Sequence, residues 1–184
     1  MKAEPLNSER LVFEVSFRSV FDWLTPELQP VVEAEWKAIG VDQRKLLPAY
    51  PVASWWKAIE IVASKLEGSR RDRLRQIGRG LAEAYGKTFI GKAVLPLARL
   101  IGPRRTLLRA GINFRAGNNF VDAVIDLDEP FHIKIRVNDV SSISEMFAGS
   151  IEGMVTVTGG STPLVEFIEQ GSDTIYDVRW SGSL

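Results

Sequence analysis

The residues with the most chemical reach in this sequence are arginines. Arg70, Arg71, Arg73, Arg75 and Arg79 crowd one stretch, and Arg104, Arg105, Arg109 and Arg115 follow in a second. A guanidinium presents a planar fork of donors that grips phosphate or carboxylate at two points, so either group could line an anion site. The first group is interspersed with Asp72 and Glu83 and reads as a solvated helix face. The second is threaded among Leu107, Leu108, Ile112 and Phe114, which sets Arg109 and Arg115 beside apolar positions. Arg115 is expected to be held inward where helices give way to strands, so that its loss would leave a buried partner unpaired.

Other chemistries are excluded by residue type. The absence of cysteine removes disulfides, thiolate metal sites and cysteine nucleophiles together. His132 is the sole histidine, too few for a zinc site without cysteine. It alternates with Phe131 and Ile133, which places it on the polar face of a strand rather than in a catalytic or metal-binding role. Asp122 and Asp126 share that face and are expected to pair with Lys134 or Arg136 across a hairpin, since nothing hydrophobic is written around them to raise a pKa. Gly86-Lys87-Thr88 ends like a phosphate-binding loop, but Leu81 stands where that loop needs glycine, so Gly86 reads as a helix terminator. Ser150, in Gly149-Ser150-Ile151-Glu152-Gly153, is off register for a nucleophile elbow. No catalytic residue, metal ligand or cofactor is assigned, and the chain reads as a non-enzyme.

The elements that must position these residues fall into two halves of one domain spanning 1–184. A chain of 184 residues, 45% hydrophobic and 25% charged, can bury one substantial core. Lys plus Arg balance Asp plus Glu at 23 each, so net charge gives no argument for a nucleic-acid or membrane partner, although local basic clusters remain open, and no nucleic-acid partner is expected. No apolar run has the length of a membrane span and the first residues lack a secretory core, so a cytoplasmic address is expected.

Residues 1–116 read as mainly helical. A short strand from Leu11 to Val15 leads into a helix near Ser16. Thr25-Pro26 opens another that ends at Gly40, and 41–51 reads as a connection. Val52 to Leu66 carries Trp55, Ile59 and Val62 toward the core. In Arg70 to Tyr85, Gly78 and Gly80 lower helix propensity, which points to close approach by another element. Thr88 to Ile101 is apolar nearly all round and reads as the central buried helix, with Pro96 as a point where it could kink. A last helix runs from Pro103 to Phe114.

Gly117-Asn118-Asn119 then breaks the chain, and residues 117–184 are rich in strands that alternate with a period of two. Phe120 to Leu127 and Phe131 to Val137 form one hairpin. A helix capped by Ser142 or Ser144 follows, and Leu164 to Ile168 with Thr174 to Trp180 forms a second hairpin. The fold class is α+β: an N-terminal helical bundle packed on a C-terminal four-stranded, mainly antiparallel sheet in hairpin-helix-hairpin order.

Four ordered motifs carry a family resemblance: LLPAYP with Trp55, AEAYGKTFIGKA, GPRRTLLRAGINFRAGNN and the closing YDVRW. They resemble a myxobacterial paralogous family of unknown function. By element order the chain also resembles the superfamily of haem-nitric-oxide-binding, vinyl-reductase-like and vesicle-tethering domains. That resemblance implies a ligand pocket between helices and sheet. Its haem-binding members use a helical histidine and a Tyr-x-Ser-x-Arg signature, both missing here, so no haem is expected. The tethering subunits and some small-molecule binders use cysteine to attach lipid or metal, and there is none here.

The expected function is that of a sensor or regulatory domain binding a small molecule. Arg109, Arg115, Phe114, Trp55, Tyr85 and Phe89 are the candidate ligand-binding residues. The alternative is an interaction or scaffold module without ligand, as a homodimer or with a signalling partner.

Overall fold

Apolar residues three and four apart build the first half of the chain, as the computed structural model shows for the residues it describes: 9–87, 89–138, 140 and 143–182. For Phe89, Ile90, Gly91, Val94, Ala110 and Asn113 only the backbone is described. A three-residue strand, β1 (Leu11–Phe13), leads into α1 (Glu14–Trp23), which buries Phe17 and Val20. In α2 (Gln29–Ala38) Trp36 is fully enclosed and its Nε1 donates to the Ala58 carbonyl at 3.1 Å. Pro30 sits in the first turn of α2, where a missing amide costs nothing. Pro26 lies in a turn before that helix rather than at its start.

The stretch read as a connection contributes a strand, β2 (Ala49–Pro51), antiparallel to β1. Three-residue strands are too short for alternation to reveal them. Next, α3 (Val52–Ser64) carries Trp55 to the ring of Phe17, with centroids 5.0 Å apart.

Ser69 opens α4 (Arg70–Lys87), its hydroxyl donating to the Asp72 carboxylate at 2.6 Å and accepting from the Asp72 amide at 3.2 Å. The following helix, α5 (Phe89–Leu107), is interrupted at Gly102, whose φ of 77° and ψ of 173° belong almost only to glycine. The helix therefore stops at Ile101 and restarts at Pro103, where the sequence placed a boundary, and Pro96 does not interrupt it. Thr88 lies outside the described residues. The restarted piece ends at Leu107, and α6 (Ala110–Arg115) completes what was expected as one helix. The expectation that 88–101 is buried at the centre is overturned: Leu97 is 58% and Leu100 83% exposed.

The central buried helix comes later in the chain. After β3 (Ala123–Glu129), a tight turn through Phe131, and β4 (His132–Asn138), α7 (Ser144–Val157) buries Met146, Phe147, Ile151 and Val155. Ser144 lies in its first turn and bonds Glu169 at 2.8 Å; Ser142 lies outside the described residues.

Glycines let α7 meet α4 backbone to backbone. A Cβ on Gly78 would stand 2.0 Å from the Met146 carbonyl oxygen, and one on Gly149 would stand 2.2 Å from that of Arg75. The close approach read from Gly78 and Gly80 is real, the ring of Trp23 covering Gly80.

Strands β5 (Ser161–Gln170) and β6 (Asp173–Ser181) complete a sheet in the order β3-β4-β6-β5, antiparallel throughout. Its inner face carries Ile133, Ile135, Val137, Val165, Tyr176 and Val178, all buried, and α7 packs against β5 and β6. On its outer face Arg136 pairs with Asp126, and Asp177 gathers His132, Lys134 and Arg179.

Candidate functional site

The break between the helical and sheet-rich halves is held by two asparagines. Asn118 Oδ1 accepts from the amides of Phe120 (3.1 Å) and Val121 (2.7 Å), while its Nδ2 donates to the Phe114 carbonyl at 3.0 Å. Asn119 Oδ1 accepts from the Leu11 amide at 2.8 Å, and the Gly117 carbonyl accepts from the Phe13 amide at 2.9 Å and from Ser16 Oγ at 3.1 Å. These bonds bring β1, the start of α1 and the end of α6 around a common space.

That space is a cavity of about 310 Å³. Its walls are Val15 and Ser19 of α1, Trp55 and Trp56 of α3, Leu81 and Tyr85 of α4, Leu95 and Ala98 of α5, Phe114 of α6, and Met146, Ser150 and Met154 of α7. It reaches solvent beside Val15 and Tyr85, which are 40% and 44% exposed. The expected place between helices and sheet is corrected: none of β3 to β6 lines it, and the junction residues Asn118, Phe120, Val121, Val140 and Ile143 stand on that side.

Among the described residues, no charged side chain and no histidine lines this cavity. Its hydroxyls mostly turn back on their own helices: Ser150 Oγ donates to the Met146 carbonyl at 3.0 Å, Thr158 Oγ1 to Met154 at 2.7 Å and Thr106 Oγ1 to Gly102 at 3.0 Å. Ser19 is 7% exposed, and its hydroxyl has no hydrogen-bond partner among the described residues. The described lining is therefore neutral and mainly apolar, with the Ser19 hydroxyl to spare.

Of the candidate residues, Trp55, Tyr85 and Phe114 come together here, and the side chain of Phe89 lies outside the described residues. Arg109 and Arg115 do not join them. They flank a separate shallow depression with Leu108, Ile112 and Asp122. Arg115 is half exposed and pairs with Asp122, which is more exposed still, so the expectation of an inward, buried arginine is overturned. An arginine that is largely enclosed is instead Arg75, 15% exposed and read from sequence as solvated; it is clamped by Glu145 and Glu152 and donates to the Val165 carbonyl at 3.0 Å. Met146, Ser150 and Met154 went unread as wall residues, although their spacing of four on one helix was a usable signal.

Residues 10–181 match the family described as protein of unknown function, DUF2378. The chain belongs to the DUF2378 family. No curated protein matches it. In three dimensions this DUF2378 chain is similar to H-NOX domains, as its element order suggested. An H-NOX protein from S. oneidensis, solved in its Fe(II)NO state, superposes with a TM-score of 0.72 at 10% identity over 92% of this chain and 99% of that one. One from K. algicida, Fe(II) and unliganded, gives 0.64 at 10% identity over 92% and 97%. An oxygen-binding H-NOX domain related to soluble guanylate cyclases gives 0.59 at 12% identity over 91% and 92%. At these identities the likeness is one of fold.

A histidine-ligated haem does not fit the residues present. His132 lies on the outer face of the sheet, its Nε2 3.1 Å from Asp177 and its Nδ1 3.4 Å from Glu129. It is not among the residues lining the cavity, and among the described residues no arginine or lysine there could meet the acid groups of a porphyrin.

Proposed function

We propose that this DUF2378 chain is a non-enzymatic sensor or regulatory module that takes a small, uncharged, mainly apolar molecule into the cavity walled by its helices. The observation that carries this reading is a lining that bears no charge among the described residues. A cavity of about 310 Å³ is at the small end of ligand sites, which run from roughly 300 to 1,000 Å³. A charged ligand entering such a wall would give up hydration without a counter-ion, whereas an apolar one would cover Trp55, Phe114 and Met154 and could use Ser19 to orient one polar group.

The fold offers a way for occupancy to be felt outside. Leu95 and Ala98 of α5 form one wall, and that helix is tied to the end of α7 through Arg99 Nε and the Val157 carbonyl at 3.0 Å. The likeness to H-NOX domains supports a sensor on the same scaffold, with a different occupant.

The test is a titration of the full chain with Nile red, a neutral fluorophore, read by its emission and by quenching of Trp55 and Trp56. Saturable one-to-one binding is expected, at least tenfold weaker in Ala98→Phe and unchanged in Arg109→Ala. Absence of saturable binding, with a tightly associated dimer in light scattering, would favour the interaction-module reading instead.

A further inference from the structure

The helix that walls the cavity has a second apolar face. Leu95 and Ala98 point at the cavity; at about 3.6 residues per turn, Ala93, Pro96, Leu97 and Leu100 fall on the opposite side. That side is open to solvent, Leu100 being 83% exposed.

The stretch of sequence that carries this face has charge of one sign. From Lys87 to Arg115 the chain has seven Lys and Arg and no Asp or Glu, although the whole sequence balances at 23 of each. The remainder therefore carries the compensating excess of acid. Arg104 and Arg115 reach across to Asp128 and Asp122. Lys92, Arg105 and Arg109 are exposed and make no ion pair among the described residues.

We propose that the outer face of α5 docks on the surface of an anionic lipid bilayer, with Leu97 and Leu100 entering the boundary between headgroups and acyl chains. Lys92, Arg105 and Arg109 supply the attraction to lipid phosphates. Two rival occupants fit less well. A second copy packed through the same face in a two-fold contact would set one basic stretch against another. A nucleic acid would use the cations and leave Leu97 and Leu100 uncovered. A short apolar stripe with a few cations gives reversible, salt-sensitive association rather than permanent insertion.

Co-sedimentation of the full chain with vesicles decides this, and needs no cavity ligand. Vesicles of mixed phosphatidylglycerol and phosphatidylcholine are expected to carry the protein down, less so at raised salt, while phosphatidylcholine alone does not. The double variants Leu97→Ser/Leu100→Ser and Lys92→Glu/Arg105→Glu should each lower partitioning at least tenfold and keep the wild-type circular dichroism. Arg44→Glu, a charge reversal outside the basic stretch, should sediment as wild type. If a double variant loses its fold, Leu100→Gln or Lys92→Glu alone carries the test. No sedimentation of wild type with anionic vesicles would overturn the proposal, as would equal sedimentation with both vesicle types or undiminished binding by folded variants. So would a dimer in light scattering that Leu97→Ser/Leu100→Ser dissolves while vesicle binding is absent, since the face would then be a self-contact.

Discussion

Arg75 and Glu152 form an enclosed ion pair, their side chains 15% and 8% exposed, in a network that Glu145, Arg71 and Arg79 complete. Replacing Arg75 with methionine would leave Glu152 with only the half-exposed Arg79, and the expected loss is about 3 to 5 kcal/mol. Arg115→Met, at a pair open to water, should cost about 0.5 kcal/mol or less. Urea midpoints of the two variants beside wild type check this ranking. The sequence suggested the reverse because proximity in the chain was all it offered: Arg75 stands among other arginines, and its partners lie 70 and 77 positions away. Asp177 gives a pH dependence. Partial burial pushes its carboxyl up, but hydrogen bonds and charge from His132, Lys134 and Arg179 outweigh this and hold it below the usual range. A folded value below the unfolded one stabilises the fold above the ordinary aspartate range, about 4, and the stabilisation disappears as pH falls through the folded value. Asp177→Asn should therefore flatten the acid limb of Tm against pH.

Among elements, the crossing of α4 and α7 is the tightest constraint on the cavity, because Met146 and Ser150 belong both to the contact at Gly78 and to the cavity wall. Gly78→Ala must push α7 away from α4, since backbone rather than a pliant side chain stands in the way. Its cost should reach about 3 kcal/mol or more, seen as a lowered urea midpoint, with Nile red binding weakened in the protein that remains folded. This constraint was legible: a glycine that weakens a helix interior needs a reason, and close approach is the usual one. Helix and strand positions were legible too wherever four or more residues kept a period. The setting of α5 was not. An apolar count cannot tell a helix buried on all sides from one whose inner face lines a cavity and whose outer face meets solvent.

At the scale of the whole molecule, the hairpin-helix-hairpin order was readable because turn residues punctuate it, Gly171 with its φ of 64° among them. The cavity was not readable, since its walls come from helices at both ends of the chain and from a junction whose asparagines look in sequence like a simple break. The same junction bonds β1 and α1 to the link between the two halves, and if that makes them one cooperative unit, a fragment of residues 1–116 should melt without a sigmoidal transition in circular dichroism, whereas the full chain melts sharply. A further consequence concerns time on the ribosome. The Leu11 amide waits for Asn119, 108 residues later, and the groove at Gly78 stays open until α7 has emerged. At typical synthesis speeds the first wait is on the order of ten seconds. Through that interval the nascent chain shows a bare strand edge and an apolar trough in α4, so chaperone engagement should peak on chains that have passed α4 and not yet delivered α7.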